Sequence, residues 1–178
     1  MFEIREIRNK TEYNPLLISK QVPFVQAWFY GEWQEMMGRQ VRRFELKKDS
    51  EAISFFQVIK YPLAFSQNLL YIPHLPMLQS PSKDFLDFLQ EKLTQIAKEE
   101  KAIFVRFDLY FHNCNYESKE KLGKYFKKVP AFAYHSVYFQ PKYEWVLDID
   151  KPESELLGNI DRKNRYNISL AENKGVII

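Results

Sequence analysis

Residues 82–107 read as a helix that runs straight into a buried strand. Ser82 is a good N-cap, and Asp84 puts an acid in the first turn, where it meets the positive end of the helix dipole. Phe85, Leu86, Phe88, Leu89, Leu93, Ile96 and Ala97 then form one apolar stripe to about Glu100. Ala102-Ile103-Phe104-Val105-Arg106-Phe107 follows at once and has the character of a short buried strand. Just upstream, Leu69-Leu70-Tyr71-Ile72 is another short strand, stopped by Pro73 and Pro76. Strand, long helix, strand predicts a crossover connection, and hence parallel pairing.

The earlier residues add antiparallel strands to that unit. Phe2 to Ile7 alternates apolar and charged, the period of a half-exposed strand. Lys10 to Lys20 predicts a short helix, and Pro23 to Gly38 a second one with Gly38 as its stop. Arg39 to Lys47 alternates again, Asp49-Ser50-Glu51 reads as a hairpin turn, and Ala52 to Tyr61 suits a central strand ended by Pro62. The expected fold class is therefore α+β, a mixed sheet flanked by helices. Downstream, the pattern predicts a helix around Lys119 to Lys128 and strands over Ala133–Phe139 and Tyr143–Ile149. A helix from Lys151 to Asn173 follows, and Val176-Ile177-Ile178 opens a strand. From Tyr143 the order strand, helix, strand repeats the opening order of the chain. Residues 1–140 are accordingly expected to form one domain, and 141–178 to be the opening of a second, similar domain. The alternative is that this tail packs back on the first.

Composition excludes several classes. Hydrophobic residues make up 46% and charged residues 28% of the 178, which is ordinary for a globular chain and not for a disordered one. A net charge of +3 is too small to argue for nucleic-acid binding by itself. The single cysteine, Cys114, rules out an internal disulfide, and His74, His112 and His135 show no metal-ligand spacing. No apolar run approaches the roughly 18 residues of a membrane span, and the acidic amino terminus does not read as a secretory signal. A cytoplasmic protein is expected, at the inner face of the membrane if its substrate is lipid-linked.

Five stretches, in order, carry a family resemblance. They are Phe24-Val25-Gln26-Ala27-Trp28 with Tyr30-Gly31-Glu32-Trp33-Gln34, and Tyr71-Ile72-Pro73 with His74-Leu75-Pro76. The strand Ala102 to Arg106 with Asp108 is the third. Gln140-Pro141 with Trp145-Val146-Leu147-Asp148 is the fourth. The last is Arg162 to Ile168 with Ala171, Lys174, Gly175 and Val176. Together they resemble the FemAB family of peptidoglycan-bridge aminoacyltransferases. The resemblance implies a GCN5-related N-acyltransferase fold and transfer of an amino acid from aminoacyl-tRNA to the stem peptide of lipid II or its nucleotide form. No cofactor is implied beyond the aminoacyl-tRNA donor, and complete members carry two acyltransferase-like domains. Two departures stand out: His74-Leu75-Pro76 replaces a usual Arg-Gly-Pro, and Gln34 stands where some members have a lysine that meets the substrate phosphate.

Amide formation from an aminoacyl ester needs the two partners placed together and a group to take a proton from the attacking ammonium. Asp108, at the carboxyl end of a buried strand, is the candidate base by position; capping a turn or pairing with Arg106 is the alternative reading. Trp33, Gln34, Tyr71 and Arg106 are candidate substrate contacts; for Trp33 and Tyr71 the alternative is core, where an aromatic at such a spacing more often sits. Lys163 and Arg165 form a short basic cluster suited to phosphate, or to a solvated helix face. His112 and Cys114 could form a thiol–imidazole pair. Two other functions stay open. An acyl-CoA-dependent N-acyltransferase would cradle the cofactor's pyrophosphate on a glycine-rich turn at a helix start, but no two of the five glycines have that spacing. A non-catalytic scaffold half would show an exposed apolar patch.

Overall fold

The computed structural model describes residues 1–19, 23–76, 81–110, 116–128, 140 and 147–176. The chain divides into two compact units, Met1–Pro141 and Lys142–Ile178.

In the first unit β1 (Phe2–Glu6) and α1 (Lys10–Ser19) are followed by α2 (Trp28–Met36), β2 (Gln40–Lys48), β3 (Glu51–Pro62) and β4 (Asn68–Pro76). Then come α3 (Lys83–Glu99), β5 (Ala102–Tyr110) and α4 (Tyr116–Tyr125). The strands lie in the order β1-β2-β3-β4-β5. The first three pairings are antiparallel and β4–β5 is parallel, as the crossover requires. This is the mixed α+β sheet expected of the acyltransferase type. The hairpin between β2 and β3 turns on Asp49 and Ser50, both at positive φ (49° and 71°), a combination that matches the twist of the flanking strands.

Alternation divides the sheet into two faces. Phe44, Leu46, Phe56, Val58, Leu70 and Ile72 point to one side, where Phe85, Leu86, Leu89, Leu93 and Ile96 of α3 and Leu122 of α4 bury them. Ser82 caps α3 by accepting from the Phe85 N–H at 3.2 Å. The other face carries Phe55, packed with Ile7, Tyr13 and Trp28, and it holds the polar and aromatic groups described below.

Three expectations are corrected. Residues 23–38 are not one helix: Phe24–Gln26 is a single 3₁₀ turn, Ala27 is extended, and α2 begins only at Trp28. The side chain of Gln57 holds this turn by donating to the carbonyls of Val25 (2.6 Å) and Ala27 (3.3 Å). In the second unit, Lys151–Asn173 is not one helix but two, α5 (Glu153–Asn159) and α6 (Arg162–Asn173). Asp161 starts α6 by accepting the Asn164 N–H at 3.0 Å. Arg165 closes α5 by donating to the carbonyls of Gly158 (2.9 Å) and Ile160 (2.7 Å). Gly175 follows α6 at φ +74°. Finally, Leu147–Ile149 is not strand: the Asp148 carboxylate takes the Asp150 N–H at 3.1 Å in a local turn. The expected strand Ala133–Phe139, the start of the strand at Tyr143, the terminal Ile177-Ile178 and the His112/Cys114 pair lie outside the described residues.

Candidate functional site

The site begins where two strands part. β3 and β4 pair only from Ile59↔Tyr71 to Pro62↔Asn68. Beyond Tyr71, β4 stays with β5 as far as Pro76↔Tyr110. The turn at Phe24–Gln26 lies against both parting strands, and Gln26, fully buried, replaces the missing ladder rung. Its Oε1 accepts the Gln57 N–H of β3 at 2.7 Å, and its Nε2 donates to the Pro73 carbonyl of β4. At this point β4 bulges: Ile72 faces Phe107 but Leu75 faces Leu109, and His74 sits at φ +45°. Bulges re-aim the side chains beside them. Gln26→Ala strands a buried N–H and a buried carbonyl and is expected to cost about 2 kcal/mol. Urea unfolding with an unshifted midpoint would count against the rung.

The turn leads directly into α2, which Gly31 seats against the sheet. A Cβ at Gly31 would overlap the Arg43 guanidinium and the Gln57 amide oxygen. Neither has room to retreat. Arg43 is buried, stacked 4.0 Å from the Trp28 ring centroid and donating to Glu35 at 3.0 Å. Gly31→Ala is therefore expected to destabilise the unit by about 1–3 kcal/mol, read as a lower thermal midpoint.

Seated this way, α2 and the strand ends bring five groups together. Tyr71, 1% exposed, donates its hydroxyl to Asp108 Oδ2. Its ring meets Tyr61 edge-on at 6.3 Å. Tyr30 of α2 lies within electrostatic reach of both phenols, and its hydroxyl accepts from Gln140 Nε2 at 3.4 Å. Gln140 also lies close enough to the Tyr71 hydroxyl to oppose part of the upward shift of its pKa. Burial first, and then the bond to Asp108, hold the Tyr71 phenol well above its ordinary pKa, so it keeps its proton and remains a donor. Burial likewise raises Tyr61, against the opposing charge of Arg39. Trp33, half exposed, extends the aromatic surface 5.5 Å from Tyr30. The result is a half-buried carboxylate set among phenols, which can attract an ammonium and accept a proton from it.

Of the residues expected from sequence, Asp108, Tyr71 and Trp33 come together here. Arg106 lies opposite Tyr71 in the β4–β5 register and is buried. Gln34 is only 2% exposed, and its Oε1 accepts from Arg39 Nη1 at 2.6 Å, so it orients a neighbour. Lys163 and Arg165 belong to the second unit: Lys163 is exposed and Arg165 closes α5. Nothing in the sequence by itself marks Tyr30, Arg39, Tyr61 or Gln140 as site residues, although Tyr30 and Gln140 stand inside two of the resembling stretches. Among the described residues, no cluster of His, Cys, Asp and Glu could hold a metal, and no helix is long and apolar enough to cross a membrane.

The model of the FemAB family matches residues 10–178. The chain belongs to the FemAB family. The lipid II:glycine glycyltransferase of Staphylococcus aureus is 27% identical over 159 residues, covering 86% of this chain and 38% of that protein. The crystal structure of FemX shares the fold, with a TM-score of 0.69 at 23% identity over 95% of this chain and 43% of that one. This FemAB chain thus spans about two fifths of the length of either.

Proposed function

We propose that this FemAB chain handles the acceptor in an aminoacyltransferase that lengthens the stem peptide of a peptidoglycan precursor, lipid II or its nucleotide form, from aminoacyl-tRNA. The observation that carries the reading is the Tyr71–Asp108 pair among Tyr30, Tyr61 and Gln140, in a chain of this family. The acceptor ammonium docks on Asp108, which takes one of its protons. The freed amine nitrogen attacks the ester carbonyl of the aminoacyl-tRNA. The C–N bond forms and the ester C–O bond breaks; a second proton leaves the nitrogen for the departing ribose oxygen, and the first passes from Asp108 to solvent. Placement of the two partners supplies much of the rate, and no covalent enzyme intermediate is needed. Residues 142–178 then open a second acyltransferase-like unit, and a lipid-linked acceptor is met at the inner face of the membrane.

The test is binding of a nucleotide-linked muropeptide to the chain, followed through intrinsic tryptophan fluorescence, beside the same nucleotide sugar without its peptide. Saturable, peptide-dependent binding is expected; none with either ligand contradicts the proposal. A second reading, a non-catalytic docking half, is favoured by the exposure of Phe24, Phe29, Met36 and Met37 on and beside α2. It predicts no precursor binding at all.

A further inference from the structure

Most of the arginines packed against the sheet, on either face, are matched by carboxylates. Arg5 pairs with Glu12 and Glu45. Arg42 pairs with Glu6, Glu99 and Glu100, and Arg43 with Glu35. Arg39 differs. It is half-buried, and among the described residues no carboxylate lies within ion-pair distance of it. Two neutral groups fix it instead. Its Nη1 donates to the buried Gln34 Oε1 at 2.6 Å, and its guanidinium carbon stands 4.5 Å over the centroid of the Tyr61 ring.

This arrangement costs desolvation without returning an ion pair. It leaves a planar, oriented guanidinium beside the candidate site: Tyr61 meets Tyr71, and Tyr71 reaches Asp108. A held fork of this kind is suited to an oxyanion, which it can engage through paired N–H donors.

We infer that Arg39 is an oxyanion-binding residue of the acceptor site, with Gln34 as its positioning residue. The inference rests on the acceptor reading above. The ligand then carries an anionic group at the Arg39 end of the tyrosine cluster and its reacting amine at the Asp108 end. A peptidoglycan precursor offers two such oxyanions, the diphosphate that links it to its carrier and the free carboxylates of its peptide. Gln34 aligns the guanidinium by hydrogen bonding, so Gln34→Leu should weaken the same ligand while leaving the positive charge in place.

Three ligands separate the sources: inorganic pyrophosphate, the free stem peptide, and the nucleotide-linked muropeptide, each titrated against wild-type chain, Arg39→Gln and Arg39→Lys. Loss of one charge-assisted contact is expected to raise Kd by roughly 10- to 100-fold in Arg39→Gln. Arg39→Lys, which keeps the charge and loses the fork, should fall between. Weakening confined to the two diphosphate ligands assigns the diphosphate; weakening confined to the two peptide ligands assigns a carboxylate. Muropeptide affinity unchanged in Arg39→Gln overturns the inference and leaves the acceptor reading standing. Absence of muropeptide binding by the wild-type chain sinks both. Should Arg39→Gln not fold, the Arg39 Nε–H resonance of the wild-type chain must move on saturation with the ligand, and a stationary resonance is equally decisive against the proposal.

Discussion

Asp108→Asn is expected to slow aminoacyl transfer by about 10²- to 10⁴-fold and to weaken precursor binding as well, since the acceptor ammonium loses its counter-charge. The substitution keeps the shape of the side chain, and the amide oxygen can still accept from the Tyr71 hydroxyl, so the tyrosine cluster stays in place. What is lost is the negative charge that holds the acceptor ammonium and the site that receives its proton. The measurement is single-turnover transfer from charged tRNA, in a protein joining residues 1–178 to the remainder of a FemAB member. Tyr71→Phe is a useful companion, because it removes the hydroxyl that orients Asp108 and leaves the carboxylate. It should reduce the rate by less than Asp108→Asn. A wild-type rate in Asp108→Asn would remove this carboxylate from the chemistry.

The largest expected effect on stability is at Phe85. Its side chain is 1% exposed in the main core, and its ring meets Phe2 of β1 edge-on at 5.3 Å. It therefore ties the first turn of α3 to the far edge of the sheet. Phe85→Ala is expected to cost about 3–5 kcal/mol, the lost burial plus the cavity left behind. That is a large part of the 5–15 kcal/mol typical of a folded domain. Phe85→Leu, which fills most of the space, should cost less than half as much. Equal unfolding midpoints for Phe85→Ala and wild type, in guanidinium chloride, would mean that this contact does not hold the helix to the sheet.

Local signals carried the sheet and α3 because those signals are themselves the structural cause. Ser82 caps with its own hydroxyl, and the apolar stripe of α3 is the face that is buried. The parallel pairing of β4 and β5 follows from chain length between them. The break between α5 and α6 was also written locally, since Asp161 three residues before Asn164 is a capping pattern, but the long run of helix-forming residues masked it. Other features depend on partners far along the chain. Gln26 reads as an unremarkable polar residue until residues 57 and 73 are placed on either side of it. Tyr30, Tyr61 and Gln140 are separated by up to 110 positions, and only the sheet and the seat at Gly31 assemble them. Gln34 shows the reverse case: family resemblance pointed to substrate, whereas its burial turns it towards Arg39.

A crystal structure of the chain with a nucleotide-linked muropeptide would place the acceptor amine relative to Asp108. The peptide is expected to lie across Tyr30, Tyr61 and Tyr71, with its acceptor nitrogen within about 3.2 Å of the Asp108 carboxylate. A muropeptide bound away from these tyrosines, with Asp108 still facing only Tyr71, would contradict this placement.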